Sequence, residues 1–406
     1  MPNRGKFIGN DNLYVPDAPT IGTATAGDQQ ISIAFTTPSD VGNDDVTGFV
    51  ATAFTGSTAI GATGTSSPIV ITGLTGSTAY TVSVAAINDY GTGPYSSASN
   101  SATPYAAAPS GYAWITAGVN DNTSVEIINI ASTGNGTDWG DLHTHAQGNA
   151  GAASATRGLI FAGSGDRDKI FYIELNTSGT SAVFGSLSVD VSNTMATGSS
   201  TRAVRGGGYS NSTFSNVMEY VTIASLGDVT DFGDLTVARY SNGGQANSTT
   251  RGMFMNGTAS NGSNSNVVDY ITIASTGNAT DFGDTTSPAF RHGASTSSST
   301  RAVIAGKYFG NIPSGATDQA VMDYFTIAST GNASDFGDLV GGTRMSEGAG
   351  ASNKTRGVFA GGFDRADNQM EYITIASTGN STVFGDLIQN YVRLNGTLAN
   401  AHGGIA

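Results

Sequence analysis

Few side chains in this chain are placed to do chemistry, and two histidines close together are the first candidates. His143 and His145 are separated by one residue, so both imidazoles would lie on the same face of a β-strand. With Asp141 nearby they are potential ligands of a metal ion such as zinc, but such a site needs further ligands. Two interpretations remain open, a metal site and a polar strand or loop, and we predict the second.

Aspartates that recur along the chain form a second set of candidates. Each follows a Phe-Gly or Trp-Gly dipeptide, and they are Asp141, Asp234, Asp284, Asp338 and Asp386. Repetition would place the carboxylates in a ring, which could bind a cation. The other interpretation is that each aspartate accepts backbone N–H bonds in its own turn. We predict this second role, because a repeated unit repeats its turn residues.

Arginines recur in the same way, always after a threonine, at Arg157, Arg202, Arg251, Arg301 and Arg356. They could encircle one face of the molecule and attract an anionic ligand. They could also each pair with an acid of a neighbouring repeat, and we predict this structural role. The sequence assigns no ligand-binding residue.

Motifs of catalytic sites are absent from the sequence. The chain has no cysteine, which excludes disulfides, thiolate metal sites and the cysteine-linked tyrosine of copper-radical oxidases. It has no Ser-x-Asp-x-Gly-x-Thr-Trp box, Gly-x-Ser-x-Gly elbow, P-loop or His-Glu-x-x-His sequence. We therefore predict that the protein is not an enzyme and uses no cofactor and no metal.

Charge and hydropathy exclude two classes of partner. The formal net charge is −14, and no cluster of Lys or Arg could neutralise a phosphate backbone, so we expect no nucleic-acid binding. No run of 18 apolar residues occurs, so we expect no membrane insertion. The N-terminus also lacks the apolar core of a signal peptide.

The elements that position these side chains are predicted to be strands. The chain contains 56 glycines and only 12% charged residues, and its polar residues are mostly Ser, Thr and Asn, as is typical of strands joined by tight turns. The length of 406 residues allows two bodies. We therefore predict an all-β protein with an N-terminal segment at 1–16, a first domain at 17–104 and a second at 105–406.

The first domain alternates apolar and polar residues in short runs. QQISIAF places Ile31, Ile33 and Phe35 on one face, and a later strand places Tyr80, Val82, Val84 and Ala86 on one face. Leu74, Tyr80, Asn88, Gly91, Gly93, Pro94 and Ser96 resemble the second half of fibronectin type III domains, with Phe35 where that family usually has tryptophan. The resemblance implies an immunoglobulin-like sandwich that serves as a spacer or binding module.

The second domain contains an internal repeat. YITIASTGNATDFGD, YFTIASTGNASDFGD and YITIASTGNSTVFGD are three of its copies. A landmark aromatic marks six copies, spaced by 45, 48, 50, 54 and 48 residues on subtraction, at Trp139, Phe184, Phe232, Phe282, Phe336 and Phe384. Each copy predicts four strands, such as GGQANSTT, RGVFAGG, EYITIAS and TDFGDL. The second and third have apolar or small residues on both faces, which is typical of a sheet packed between two others.

The two ends of the repeat complement each other. The first copy begins at its second strand, Gly111 to Gly118, and lacks a glycine-rich first strand. The C-terminal segment from Arg393 to Gly404 aligns with the missing strand. We therefore expect it to complete the first sheet, which removes two exposed sheet edges.

The unit resembles the kelch repeat. An arginine, a strand that ends in a glycine doublet such as Gly361-Gly362, a tyrosine and a further aromatic follow in that family's order, with Phe replacing the usual Trp in every copy except Trp139. This resemblance implies a six-bladed β-propeller closed by the C-terminal strand.

The combination of modules resembles structural proteins of tailed bacteriophages, and the YITIASTGN repeat is similar to those in virion proteins of phages of marine cyanobacteria. The resemblance implies a tail fibre, head fibre or decoration protein, assembled in the host cytoplasm and present in multiple copies in the virion. Residues 1–16 would bind other virion proteins, and the propeller would bind a host surface glycan or receptor. The alternative is a bacterial cell-surface adhesion or scaffold protein with the same modules.

Overall fold

The computed structural model describes most of the chain, and every regular element in the described part is a β-strand. The described residues are 14–27, 29–76, 78–104, 111–116, 123–144, 147–163, 165–210, 212–241, 245–260, 263–289, 294–306, 320–340, 348–361, 368–388 and 396–405. Within these ranges no helix could span a membrane. The chain divides into two compact units, Met1–Ala107 and Ala108–Ala406.

The described residues of the first unit form seven strands in two antiparallel sheets. The strands are β1 (Thr20–Gly27), β2 (Gln30–Thr36), β3 (Gly48–Thr55), β4 (Thr58–Gly64), β5 (Ile69–Thr72), β6 (Thr81–Asn88) and β7 (Gly91–Thr92). One sheet has the order β1-β2-β5 and the other the order β4-β3-β6-β7. All neighbouring strands in these two sheets pair antiparallel, as expected of a sandwich.

The core of this unit lies between the alternating faces that the sequence predicts. Ile31 and Ile33 of β2 and Val82 and Val84 of β6 are fully buried in one apolar cluster. Phe35 belongs to the same cluster, and its ring centroid lies 4.7 Å from that of Phe49. An aromatic residue thus fills the core position predicted for it.

Two polar residues fix the turns of the sandwich. The hydroxyl of Tyr80 accepts a hydrogen bond from the backbone N–H of Thr75 at 3.1 Å. The amide nitrogen of Asn88 donates to the carbonyl oxygens of Tyr14 (3.0 Å) and Val41 (3.1 Å). Residues 14–16, the described part of the predicted anchoring segment, therefore contact the sandwich, whereas residues 1–13 lie outside the described residues.

The second unit contains six main sheets, which we number in chain order. Sheet 1 comprises β8 (Tyr112–Thr116), β9 (Ser124–Asn129), β10 (Thr137–Asp141) and the C-terminal β35 (Thr397–Ala399). Sheet 2 comprises β11 (Ala150–Ala153), β12 (Arg157–Phe161), β13 (Lys169–Glu174) and β15 (Ala182–Ser186), with the short β14 (Gly179–Thr180) paired to β10. Sheet 3 comprises β16 (Met195–Gly198), β17 (Arg202–Gly206), β20 (Val217–Thr222) and β21 (Thr230–Asp234).

The remaining sheets repeat this plan. A hairpin of β18 (Tyr209–Ser210) and β19 (Thr213–Phe214) is inserted in sheet 3. Sheet 4 comprises β22 (Arg239–Tyr240), β23 (Gln245–Asn247), β24 (Arg251–Ala259), β25 (Asn264–Thr272) and β26 (Thr280–Ala289). Sheet 5 comprises β27 (Ala294–Ser297), β28 (Arg301–Ala305), β29 (Val321–Thr326) and β30 (Ser334–Asp338). Sheet 6 comprises β31 (Ala349–Ser352), β32 (Arg356–Ala360), β33 (Gln369–Thr374) and β34 (Thr382–Asp386).

Each sheet buries both faces of its second strand, as the sequence predicts. In sheet 6, Val358 packs in a cluster with Ile115 of sheet 1, whereas the next residue, Phe359, packs in a cluster with Val303 of sheet 5. Over the described residues the second unit has six such clusters, one for each consecutive pair of sheets and a sixth between sheets 6 and 1. Apolar contact is therefore continuous from sheet 1 through sheet 6 and back to sheet 1.

The C-terminal strand pairs with the first sheet. In β35, Leu398 lies opposite Trp114 of β8 in an antiparallel register. The predicted pairing of the C-terminal segment with the first repeat is therefore confirmed for residues 397–399, whereas its beginning at Arg393 lies outside the described residues.

Candidate functional site

The predicted histidine pair is only partly described. His143 is exposed, its ring lies 5.9 Å from that of Phe171, and its backbone N–H donates to the hydroxyl of Ser181 at 2.7 Å. His145 lies outside the described residues. Across the described parts of the chain, no three His, Cys, Asp or Glu side chains are grouped so that they could hold a metal ion.

The aspartates that follow Phe-Gly contact the next sheet through their backbone. The N–H groups of Asp234, Asp284, Asp338 and Asp386 donate, at 3.0–3.1 Å, to the side-chain oxygens of Asn278, Asn332, Asn380 and Asn135, respectively. The carboxylate of Asp141 accepts from the hydroxyl of Thr123 at 3.0 Å. The recurring contact is therefore made by the backbone N–H, and the role predicted for each carboxylate, accepting N–H bonds within its own turn, stays a prediction.

The glycine before each of these aspartates explains why the backbone N–H of the aspartate contacts the next sheet. Gly283 has φ +141°, and a Cβ there would lie 2.5 Å from the carbonyl oxygen of Gly331 in the next sheet. The chain of one sheet therefore approaches the backbone of the next closely, and this turns the following amide of Asp284 toward the neighbour. The repeated Phe-Gly-Asp sequence is a contact between sheets.

The repeated arginines also bridge neighbouring sheets. Each guanidinium lies 4.2–4.8 Å from the ring centroid of a tyrosine in its own sheet. Each also donates through Nη1, at 2.8–3.2 Å, to an isoleucine carbonyl. In the order Arg157, Arg202, Arg251, Arg301 and Arg356, the acceptors are Ile223, Ile273, Ile327, Ile375 and Ile130.

The prediction that each arginine pairs with an acid of the neighbouring repeat is therefore wrong. The neighbouring repeat supplies a backbone carbonyl as the partner instead. Arg157 pairs with an acid, Glu174, but this residue belongs to its own sheet. A carbonyl oxygen accepts from a guanidinium without adding a second buried charge, and the tyrosine ring covers the other face of the cation. All five guanidinium groups are engaged in contacts within the protein.

A set of buried acids, which the sequence analysis did not single out, occupies one position of the third strand. They precede the tyrosine or isoleucine of that strand, and they are Glu126, Glu219, Asp269, Asp323 and Glu371, all at most 3% exposed. Each accepts a backbone N–H from the preceding sheet at 2.8–3.2 Å, with Glu126 of sheet 1 bound from sheet 6. In the order of the acids just given, the donors are Ile388, Ser188, Thr236, Thr286 and Val340. The sequence signal that could have found them is the recurrence of a Glu or Asp at this position, followed by tyrosine in four of the five sheets.

Sheet 2 departs from this pattern and shows why the acid is needed. Phe171 stands where the other five sheets carry the acid. The N–H of His143, which corresponds to those bound by acids elsewhere, donates instead to the hydroxyl of Ser181. A backbone donor thus finds a side-chain acceptor at each of these contacts between sheets.

Two of the buried acids pair with fully buried arginines. Arg205 is bound to Glu219, and Arg239 is bound to Asp269 at 2.8 Å. Burial lowers the pKa of each guanidinium, while the neighbouring carboxylate opposes that effect. These pairs are enclosed in the protein and are inaccessible to a ligand.

The most distinctive accessible feature is an aromatic cluster formed by Tyr209, Phe214 and Tyr240. The centroids of Phe214 and Tyr240 lie 5.5 Å apart with a 29° angle between the rings, and Tyr209 lies 5.3 and 5.6 Å from them. All three side chains are half-exposed. The inserted hairpin β18–β19 carries two of the rings, and β22 carries the third.

Backbone contacts hold this aromatic cluster in place. The N–H of Gly208 donates to the carbonyl of Arg239 at 3.0 Å, and the N–H of Arg239 donates to the carbonyl of Ser215 at 3.1 Å. Because Arg239 is also held by Asp269, the hairpin and β22 are fixed to the sheets beneath them. The cluster therefore presents a rigid apolar surface.

Comparison with known proteins identifies the first unit. Residues 17–102 match the family model of the fibronectin type III domain. This agrees with the two antiparallel sheets, the buried aromatic Phe35 and the tyrosine at the turn after Leu74. No curated protein matches the chain with significant similarity.

Proposed function

We propose that this protein is a bacteriophage virion structural protein, a tail fibre or a head fibre or decoration protein, that adheres to the host cell surface. In this proposal, residues 105–406 form a closed, six-bladed, kelch-like β-propeller. The support for that architecture is the equivalence of the junctions: Ile388 contacts Glu126 of sheet 1 as Val340 contacts Glu371 of sheet 6. A ring of this kind is a rigid support for adhesive loops.

The aromatic cluster is the observation that carries the adhesive function. Half-exposed tyrosine and phenylalanine rings offer an apolar surface with polar tips, which suits the apolar face and hydroxyl edge of a sugar ring. Three rings are held by fixed backbone, so little conformational entropy is lost when a ligand binds. We assign a host surface glycan as the ligand, since the cluster has polar neighbours such as Ser210 and Thr213.

The assignment to a virion rests on the combination of modules. A fibronectin type III domain precedes repeats that resemble those of phage virion proteins. In this proposal residues 1–16 bind other virion proteins, the protein is assembled in the host cytoplasm in multiple copies, and it acts without catalysis. Gold-labelled antibodies against the protein should decorate purified phage particles, whereas labelling of bacterial envelopes alone would favour a cell-surface adhesion protein.

Glycan binding tests the adhesive role directly. We expect the full-length protein to bind a subset of bacterial surface polysaccharides on an array, and Phe214→Ala or Tyr240→Ala to weaken that binding at least ~10-fold, which corresponds to ~1.4 kcal/mol. Tyr95→Ala is the matched control, since Tyr95 is an exposed aromatic residue of the first unit. Unchanged binding by both cluster variants would refute the assignment.

A further inference from the structure

The chain continues beyond β35 and crosses the ends of the first strands of the other sheets. A Cβ at Gly403 would lie 2.3 Å from the carbonyl oxygen of Ser298 and 2.5 Å from that of Asn247. A Cβ at Gly404 would lie 2.3 Å from the carbonyl oxygen of Gly198. Gly403 and Gly404 therefore pack tightly on strand ends of sheets 3, 4 and 5.

Sheets 1 and 2 hold the same segment by hydrogen bonds. The side-chain oxygen of Asn400 accepts from the backbone N–H groups of Gly111 and Tyr112 at 3.0 and 3.1 Å. The imidazole of His402 lies 2.8 Å from the carbonyl oxygen of Ala153, the last residue of β11. We call residues 400–405 the terminal plug, because they cover one end of the space between the first strands.

That space contains a small cavity with His402 in its wall. Its volume is about 50 Å³, which is room for one or two water molecules at ~30 Å³ each. The first strands of sheets 2 to 6 and β35 contribute the rest of the lining, as glycine, alanine, serine, threonine and asparagine. Among the described lining residues, the imidazole is the one titratable group.

The hydrogen bonds of His402 specify a neutral imidazole. The backbone N–H of Gly404 donates to Nδ1 at 3.0 Å, so Nδ1 carries no proton. Nε2 must then carry the proton and donate it to the carbonyl of Ala153. A proton added to Nδ1 would face the N–H of Gly404, and two donors would then oppose each other in a buried site.

Among the described residues that contact the plug, none carries a charge that offsets such a proton. The strand ends packed on the plug are those of Ala153, Gly198, Asn247 and Ser298, and none of them carries a titratable side chain. Burial lowers the pKa of His402, and the carbonyl of Ala153 opposes this only in part. Protonation therefore requires that the imidazole leave its site.

We propose that the terminal plug is an acid-sensitive latch. Protonation of His402 breaks the bond from Gly404 and releases residues 402–405 from the ends of the first strands, while β35 remains paired with β8. Release opens one end of the cavity to solvent. This inference does not depend on the proposed adhesive function.

Hydrogen–deuterium exchange of the full-length protein tests the latch. Protection factors, corrected for the pH dependence of intrinsic exchange, would be measured for residues 400–405 and for β24 between pH 7.5 and 4.5. We expect protection of the plug to fall at least ~10-fold below the ordinary histidine pKa of ~6.5, while β24 stays protected. Constant protection of the plug across this range would overturn the proposal.

His402→Asn provides the matched variant. An asparagine oxygen can still accept the N–H of Gly404 two residues on, but it does not titrate. We expect plug protection in this variant to be independent of pH, whatever its absolute level, and His143→Gln to behave as the wild type. A pH-dependent loss in His402→Asn equal to that of the wild type would also overturn the proposal.

Discussion

The backbone N–H of Ile388 donates a hydrogen bond to Oε2 of Glu126 at 2.8 Å, across 262 residues of sequence. Ile388 follows the last strand of sheet 6, and Glu126 lies on the third strand of sheet 1. The same bond joins sheets that follow one another directly in the chain, as between Thr286 and Asp323. The first and last sheets therefore meet through the contact that also joins each sheet to the next from sheet 2 to sheet 6.

Removal of the Glu126 carboxylate should destabilise the second unit. Glu126→Ala removes the buried carboxylate that accepts the N–H of Ile388, and loss of a hydrogen bond to a charged group costs about 1.5–3 kcal/mol of unfolding free energy. Urea denaturation monitored by tryptophan fluorescence would measure it, since Trp114 and Trp139 lie in the same sheet. Asp138→Asn, at an exposed position of that sheet, is the control and should change little. Equal stability of the two variants would contradict a role for the buried acid.

The close approach of backbones between sheets predicts that alanine substitutions at two glycines have different effects on the unfolding free energy. Gly283 and Gly331 have similar positive φ values, +141° and +154°, but only a Cβ at Gly283 would meet a neighbour, the carbonyl of Gly331. Gly283→Ala should therefore lower the unfolding free energy by about 1–3 kcal/mol more than Gly331→Ala, because overpacking adds to backbone strain. If chemical denaturation shows no difference between the two variants, the close contact between sheets 4 and 5 is incorrect.

Arg356 should contribute to the junction between sheets 6 and 1. It lies 4.3 Å from the ring centroid of Tyr372 and donates to the carbonyls of Ile130 (3.2 Å) and Ala131 (2.9 Å). Arg356→Ala should cost about 1–3 kcal/mol of unfolding free energy, since a charged donor and a cation–π contact are lost together. Thermal unfolding would measure the loss beside Lys354→Ala, an exposed cation in the same turn. A melting temperature as high as that of the control would rule out the bridge.

The order of strands could be predicted from the sequence because it depends on periodicity. Apolar residues on both faces of the second strand, such as Val358 and Phe359, indicate a sheet covered on both sides, and the structure buries them in two different clusters. The pairing of Leu398 with Trp114 could also be predicted, since one repeat lacks a strand that the C-terminus can supply.

The partners of polar side chains could not be predicted in the same way. Arg301 binds the backbone carbonyl of Ile375. Every residue has a backbone carbonyl, so the sequence does not indicate which one is the partner, whereas an acidic residue can be read from it. The buried acids were visible as a repeated Glu or Asp, but their burial depends on how neighbouring sheets pack. The aromatic cluster depends on an inserted hairpin that lies outside the repeat and is therefore not specified by it.

Stability should depend on pH through His402. Its pKa is lowered in the folded state, so folding favours the neutral imidazole, and the associated stability is complete above the unfolded pKa of ~6.5. As the pH falls from that value through the lower folded pKa, the unfolding free energy of the wild type should decrease. His402→Asn should lack this part of the decrease. Urea midpoints of the two proteins between pH 8 and 5 would show it, and parallel curves would contradict the assignment.

Closure of the six sheets into a ring is the central claim, and the absence of cysteine permits a direct test. Asn135 and Asp386 contact each other across the junction of sheets 6 and 1. Both would be replaced by cysteine and treated with a short bis-maleimide, and the linked peptides would be identified by mass spectrometry. Cysteines at Asp234 and Asn278 provide the equivalent pair between consecutive sheets, and cysteines at Asn135 and Asp284 provide a pair from sheets 1 and 4. A closed ring predicts that 135–386 links as efficiently as 234–278. If 135–386 links no better than 135–284, the ring is open.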